Sequence, residues 1–295
     1  KGGSMLNDQD LQNTGKAEKT TSCTEEYDFT YLSLGAGVQS SALLVLSCTD
    51  DRVPKPDVAI FADTGDEPPW VYEYLDALTD WAKPHGVEVV KAQKGILSES
   101  FIKNRDEGKR FVSVPVFTSK PDGSRRGMLR RQCTNEFKIQ PITQEVRKIL
   151  GYGYRRRVKE KVRAMLGITT DEVQRMKPSL FKWCTNVYPL VDLDFHRNDC
   201  YEVLEKAGLP EPQKSACVYC PYHSDDYWHW MKTTHPDQFQ RAVDFDYSVR
   251  DMSKGGGQLP AYVHSSCIPL DQVNFKQSDN TQLDMWAECE GMCGV

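Results

Sequence analysis

The stretch YLSLGAGVQSSALLVL, residues 31–46, limits the fold more than any other part of the chain. It begins as a strand, passes Gly35 and Gly37, and leaves as an apolar helix from Gln39 to Cys48. A strand, a glycine turn and a helix in that order aim the first helical N–H groups at whatever occupies the turn, which suits a phosphate. The common phosphate loop follows its glycines with Gly-Lys-Ser/Thr; here Val38-Gln39-Ser40-Ser41 follow Gly37. The alternation continues downstream. DVAIFADTG (57–65) reads as a buried strand running into a turn. Pro69 to Lys83 reads as an amphipathic helix with Trp70, Tyr74 and Leu78 on one face, and VEVVKA (87–92) as the next strand. This βαβαβ order predicts an α/β fold, a parallel sheet with helices on its faces. Ligands of such sheets sit beyond the carboxyl ends of strands, so the turn at 35–37 and ADTGDE (62–67) are expected to face one pocket. For a bare Gly-x-Gly, an ordinary strand–helix turn remains the alternative.

The rest of the chain is less regular. Residues 108–127 predict an extended hairpin or flap with a Pro-Asp-Gly turn at 121–123. Residues 135–150 predict a helix interrupted near Pro141, and 164–176 a strand, a turn and a short helix capped by Thr169 or Thr170. From 197 onward the pattern is mainly helical, broken by a CxxC loop, with a helix from Pro236 to Met252 and a flexible glycine-rich connector at 254–262. The expected organisation is a cloning scar (KGGS) and flexible tail over 1–28, a nucleotide-binding domain over 29–195, and a cysteine-rich helical region with a cysteine tail over 196–295.

Composition narrows the class. Hydrophobic residues make up 39% and charged residues 27%, a soluble globular balance. No apolar run approaches the roughly 18 residues of a membrane span, and no secretory pattern opens the chain. The expectation is a cytoplasmic protein with no membrane partner. A net charge of −5 argues against nucleic-acid binding over the whole surface. RRGMLRR (125–131) and RRRVKEKVR (155–163) concentrate positive charge, as solvated faces or as contacts to an anionic partner such as a nucleotide or a nucleic-acid backbone. Ten cysteines in such a chain point to metal, cluster or redox chemistry rather than a disulfide framework.

In combination, SLGAGVQSS and FADTG resemble the PP-loop nucleotide α-hydrolases, and within them the phosphoadenylylsulfate (PAPS) reductase-like branch. The resemblance implies a HUP-like domain that binds ATP or another adenine nucleotide. Ser33, Gly35, Gly37, Gln39, Ser40 and Ser41 would form the loop, with Asp63 and Thr64 on the next strand end. The family's commonest loop, Ser-Gly-Gly-x-Asp-Ser, carries a charged residue where Val38-Gln39 stand. RRQCTNEFKIQPI (130–142) resembles the family segment in which a cluster cysteine precedes a basic residue and a proline. It implies Cys133 as a ligand, with Arg131 and Lys138 as nucleotide contacts. Cluster-bearing sulfonucleotide reductases have two adjacent cysteines there; this chain has Cys133-Thr134. One cysteine combined with a later Cys…CxxC looks like the iron–sulfur sulfur-transfer ATPases of DNA phosphorothioation. That implies a 4Fe–4S cluster on Cys133, Cys200, Cys217 and Cys220. Zinc on the same four residues is the rival, and Cys184 is an alternative to Cys200.

GITTDEVQRMKPS (167–179) resembles a Gly-Ile-x-x-Asp-Glu-x-x-Arg signature of the same family. It implies Arg175 as a bidentate phosphate or sulfate clamp, with Asp171 or Glu172 holding it or a Mg²⁺. A surface ion pair is the plain alternative. AECEGMCGV at the end resembles the nucleophilic Glu-Cys tail of sulfonucleotide reductases. Cys289 would attack sulfur or carry a persulfide and Cys293 would resolve it, unless the end is simply frayed. Cys289, Cys293, Arg175 and Asp63 are thus the catalytic candidates. The activity implied is ATP cleavage between the α and β phosphates, adenylylating an acceptor and releasing pyrophosphate, coupled to sulfur transfer. A nucleic acid is one acceptor, and a sulfur donor or redox protein is the implied partner. The alternatives are a sulfonucleotide reductase, and a non-catalytic cluster or zinc protein that binds nucleotide or nucleic acid within a complex.

Overall fold

The computed structural model describes residues 26–109, 114–120, 122–153, 155–253 and 259–276. Its first strand, β1 (Phe29–Leu34), runs through the glycine turn into α1 (Val38–Thr49). Then follow β2 (Val58–Asp63), α2 (Pro69–Ala82), β3 (Glu88–Gln93) and α3 (Leu97–Asp106). After a short hairpin, β4 (Phe117–Ser119) and β5 (Arg125–Met128), come α4 (Gln140–Ile149), β6 (Val162–Leu166) and β7 (Cys184–Val187). The remainder is α5 (Pro189–Asp192), α6 (Arg197–Lys206), α7 (Asp225–Thr234), α8 (Pro236–Ser248) and β8 (Ala261–Tyr262).

Five strands form one parallel sheet in the order β3-β2-β1-β6-β7. The α/β fold expected from the sequence is the fold observed. The chain steps outward on one side of β1 and returns on its other side, so β1 and β6 flank the point where strand order reverses. Crevices for ligands open at such points. Ser33 there pairs with Ile60 on one side and Leu166 on the other. Side-chain alternation along β1 separates two interiors. Leu32 and Leu34 join α1, α2 and α6 in one core, while Tyr31 faces the apolar side of α4. Val58 to Ala62 are buried without a break, as expected of a strand covered on both faces.

A second core draws Leu97, Phe101, Val116 and Phe137 together with Trp228, Met231, Phe245 and Val263. β8 pairs with β4 in a three-stranded antiparallel sheet, Thr118 opposite Ala261. The expected boundary at 195/196 therefore does not divide the cores. α1 is buried almost all round, and Cys200 and Leu204 of α6 belong to the core that covers it. Residues 97–137, placed by the sequence in the first domain, supply Leu97, Phe101, Val114, Val116 and Phe137 to the second core.

One local expectation holds and one is corrected. The segment is helical from 133 to 149, and its regular ladder is broken just before Pro141, which has no N–H to donate. A widened π turn, Asn135–Ile139, leads in, and the Gln140 N–H bonds to Asn135 O. α8 ends at Ser248 instead of Met252, and residues 261–262 of the expected connector are strand. The hairpin turn is as expected: Gly123 has φ +81° and its N–H bonds to Lys120 O at 2.9 Å. The glycine run 254–258 and the tail carrying Cys289 and Cys293 lie outside the described residues. Among the described residues, no helix is long and apolar enough to cross a membrane.

Candidate functional site

The glycine turn is held in shape by its own side chains. Ser40 Oγ accepts the Gly35 N–H at 3.1 Å and donates to Gly37 O at 3.2 Å. The left-handed residue is Ala36, φ +54°, between the two glycines. That conformation costs a non-glycine residue on the order of 1 kcal/mol, and the Ser40 bonds hold it. Gly37, extended, is the N-cap of α1. Helix geometry leaves the N–H groups of Val38, Gln39 and Ser40 without intrahelical acceptors, the arrangement that attracts an anion. A Cβ on Gly37 would meet no atom within 4 Å, so open space lies against the turn. Gly167, at the exit of β6, is the opposite case: its Cβ would stand 2.7 Å from both Cα and N of Ser40.

The GITTDE segment packs onto this turn unevenly. Gln39 Nε2 donates to Thr169 Oγ1 at 3.3 Å and to Glu172 Oε2 at 2.9 Å, and Glu172 pairs with Arg175. Arg175 is thereby linked to the head of α1. Asp171 does not share that face, because Thr170–Arg175 is a 3-10 turn kinked at Glu172. Its carboxylate meets His196 Nδ1 at 2.8 Å and accepts the Arg197 N–H at 2.7 Å, at the start of α6. Burial opposes the charge of Asp171, yet the His196 and Arg197 bonds hold its carboxyl below the usual range; the same contact raises His196. Ser41, expected in the loop, is fully buried in α1.

A cleft of about 230 Å³ opens at the carboxyl end of β1 and β6. Tyr31, Ser33 and Leu166 form its sheet wall, and Lys138, Ile139, Ile142 and Thr143 its helical wall. The segment from Lys177 to Phe181, with Asn186, closes the far side. Asn186 Nδ2 and the Tyr188 hydroxyl both donate to Lys177 O, at 2.9 and 2.6 Å, and fix that segment. Apolar walls with a few placed polar groups suit a planar base.

A second cavity lies beyond Lys138. Thr64, Arg131, Cys133, Lys138, Cys217 and Cys220 line it, with Tyr222 beneath the Arg131 guanidinium at 5.3 Å. Thr64 Oγ1 lies 3.2 Å from Cys217 Sγ. Lys138 Nζ stands 3.5 Å from the buried Glu67 carboxylate. Burial, then the Glu67 charge, pushes the Cys217 thiol up, against the pull of Lys138. Asp66 fastens the CxxC loop to the end of β2. Its carboxylate accepts from Ser98 N, Ser98 Oγ and the Tyr219 hydroxyl at 2.7, 2.9 and 2.6 Å, and its carbonyl accepts the Val218 N–H at 2.9 Å. Asp63 closes the preceding turn, accepting from Gly65 N at 2.8 Å and the Tyr72 hydroxyl at 2.7 Å.

Three of the four expected thiolate ligands therefore share one cavity, and Cys200 does not. It is fully buried in α6 within the first core, and burial pushes its thiol up to about 12. Cys184 is no substitute: it is buried on β7, 3.9 Å from the Tyr31 hydroxyl. Among the described residues, no three His, Cys, Asp or Glu side chains stand close enough to hold a metal ion. Soft sulfurs beside two cations fit a thiolate-bound cluster in kind, but a four-thiolate set for a cluster or zinc is not assembled. Sequence reasoning missed the far wall (Lys177, Phe181, Asn186), the buried Glu67 and the close approach of Gly167. Only Gly167 carried a signal, as a glycine directly after an apolar strand.

No protein-family model and no curated protein matches the chain. Among solved structures, it is similar to phosphoadenylyl-sulfate (PAPS) reductase from Candida auris, a phosphate complex, at 14% identity and TM-score 0.39, over 63% of this chain and 76% of that one. It is also similar to U34-tRNA thiolase NcsA from Methanococcus maripaludis with its [4Fe-4S] cluster, at 14% identity and TM-score 0.40, over 75% of this chain and 73% of that one.

Proposed function

We propose that the chain binds ATP with its base in the cleft and its phosphates at the head of α1, and cleaves it between the α and β phosphates. An acceptor so activated then takes up sulfur at the cysteine cavity. The observation that carries this reading is Lys138, which lines both the cleft and the cavity. One ammonium group thus borders the place for a nucleotide and the place for sulfur chemistry.

The N–H groups of Val38, Gln39 and Ser40, with the α1 dipole, would stabilise the charge that grows on the phosphates. Glu172 holds Arg175 near that turn, from where the guanidinium can reach an equatorial phosphate oxygen. An acceptor oxygen attacks the α-phosphorus, the α–β P–O bond breaks, and pyrophosphate leaves with the electron pair. A sulfur nucleophile then displaces AMP from the acceptor carbon, forming C–S as C–O breaks. Mg²⁺ would accompany the phosphates. Cys133, Cys217 and Cys220 are the residues that would hold a 4Fe–4S cluster, with Arg131 and Lys138 offsetting its charge. Held there, a cluster would supply iron able to bind sulfur.

The test is product analysis with anaerobically purified protein. Pyrophosphate release from ATP in the presence of cellular RNA or DNA is expected, and its loss on Lys138→Ala. Sulfite release from a sulfonucleotide, with no pyrophosphate from ATP, would replace this reading with the reductase.

A further inference from the structure

The basic run at 155–163 has no part in the site described so far. It leads into β6, whose first residue is Val162, so it sits at the end of the sheet opposite the cleft, which is lined by Leu166. Arg155, Arg156, Arg157, Lys159 and Lys161 are all exposed. The loop that presents them is shaped from within: Arg147 Nη2 donates to Gly153 O at 2.8 Å and to Arg156 O at 2.6 Å, and the Tyr152 hydroxyl bonds Glu160 at 3.1 Å.

A second segment joins this loop to the cleft. Residues 177–181 wall the cleft, and two residues on, Trp183 O accepts the Val162 N–H at 2.9 Å, next to the basic loop. The segment therefore descends beside β7, the edge strand of the sheet. It interleaves cations and rings. Lys177 and Lys182 are exposed, Leu180 is 74% exposed, and the half-buried rings of Phe181 and Trp183 stack at 5.5 Å and 29°. Cations alternating with stacked rings on one strip match a strand of alternating phosphates and bases. An acidic protein would use the cations and leave the rings without a purpose.

We propose that this edge, from the Arg155–Lys161 loop past Trp183 and Phe181 to Lys177, is a docking track for single-stranded nucleic acid that delivers its end or loop to the cleft. Its purpose, presenting an acceptor, rests on the sulfur-transfer reading above; the binding itself does not.

The experiment is fluorescence anisotropy with a short labelled single-stranded RNA, its duplex form, polyglutamate as competitor, and phosphatidylserine vesicles as a separate probe, over a salt series. Binding of the single strand is expected to weaken steeply with salt and to exceed binding of the duplex. Arg155→Glu, Arg156→Glu and Arg157→Glu together should reduce the slope of log K against log salt by about 3. Lys182→Glu, on the separate segment, should weaken binding several-fold, so the result does not depend on one variant folding. ATP affinity, measured on the same proteins, should stay unchanged. The docking track falls if the single strand binds no better than polyglutamate or vesicles, or if neither variant alters the salt slope. RNA binding along this edge without ATP binding would overturn the sulfur-transfer reading and leave the track; ATP binding without salt-dependent RNA binding would do the reverse.

Discussion

The glycine turn at the head of α1 and the cysteine cavity bordered by Lys138 are built in opposite ways. The turn is local: Gly35, Ala36, Gly37 and Ser40 shape one another within six residues, and Ser40 Oγ alone makes two of the bonds. The cavity is assembled from segments far apart in sequence, Thr64 just after β2, Cys133 before α4, and Cys217 with Cys220 before α7. Asp66 is the side chain that fastens two of these segments. A locally built site survives most distant changes and fails at a few backbone atoms. A site assembled from distant segments depends on its fastenings.

The largest expected effect tests the first half of that contrast. Gly167→Ala puts a methyl 2.7 Å from backbone atoms of Ser40, so overpacking should cost about 2–3 kcal/mol and abolish ATP binding. Gly37→Ala has open space around it and should change stability by less than about 0.5 kcal/mol. It should still weaken ATP at least tenfold, about 1.4 kcal/mol, since the methyl enters the space for phosphate. Thermal melts and calorimetric titration measure both; wild-type ATP affinity in Gly37→Ala would place the phosphates elsewhere.

Next in size is Asp66→Ala, which strips acceptors from Ser98 and Tyr219 and should cost about 2–3 kcal/mol. Cys217 and Cys220 should become faster targets for a thiol reagent while ATP affinity holds. Unchanged thiol rates would mean that the cavity does not depend on this fastening.

A third comparison sets Cys217→Ala against Cys200→Ala. The first should lose iron from the anaerobic protein. The second should keep it and lose only about 1 kcal/mol of stability, because Cys200 is core packing. Iron lost in Cys200→Ala would restore the four-cysteine set.

The smallest effect is electrostatic. His196 is raised by its bond to Asp171, so its contribution is fully present below about pH 6.5 and fades as pH rises through its folded value. Asp171 is lowered, so its share is present above about pH 3.9 and is lost as pH falls through its folded value. His196→Gln should lower the melting temperature slightly between those limits and leave it unchanged at alkaline pH.

What the sequence disclosed follows the same division. Strand, turn and helix over 29–49 were legible because periodicity and glycine spacing act within one segment. The cysteine ligands were legible only as a list. Spacing could not tell that Cys200 lies on the face of α6 that belongs to the core covering α1, since Cys-x₃-Leu is compatible with either role. Glu67 reads as one more acid in ADTGDEPP, and only tertiary packing against Lys138 shows it buried. β4 likewise finds its partner in β8, more than a hundred residues later, a pairing that no local pattern announces.

That late partnership sets an order on synthesis. The parallel sheet can close once β7 has left the ribosome, but the second core must wait for residues up to Phe275. Cys133 emerges long before Cys217 and Cys220. At translation rates of about 5–20 residues per second, its thiol stays unsheltered for several seconds in every new chain. A cell that relies on this cavity has to protect or reduce that sulfur during the interval, and can insert a cofactor only after residues up to Phe275 have emerged.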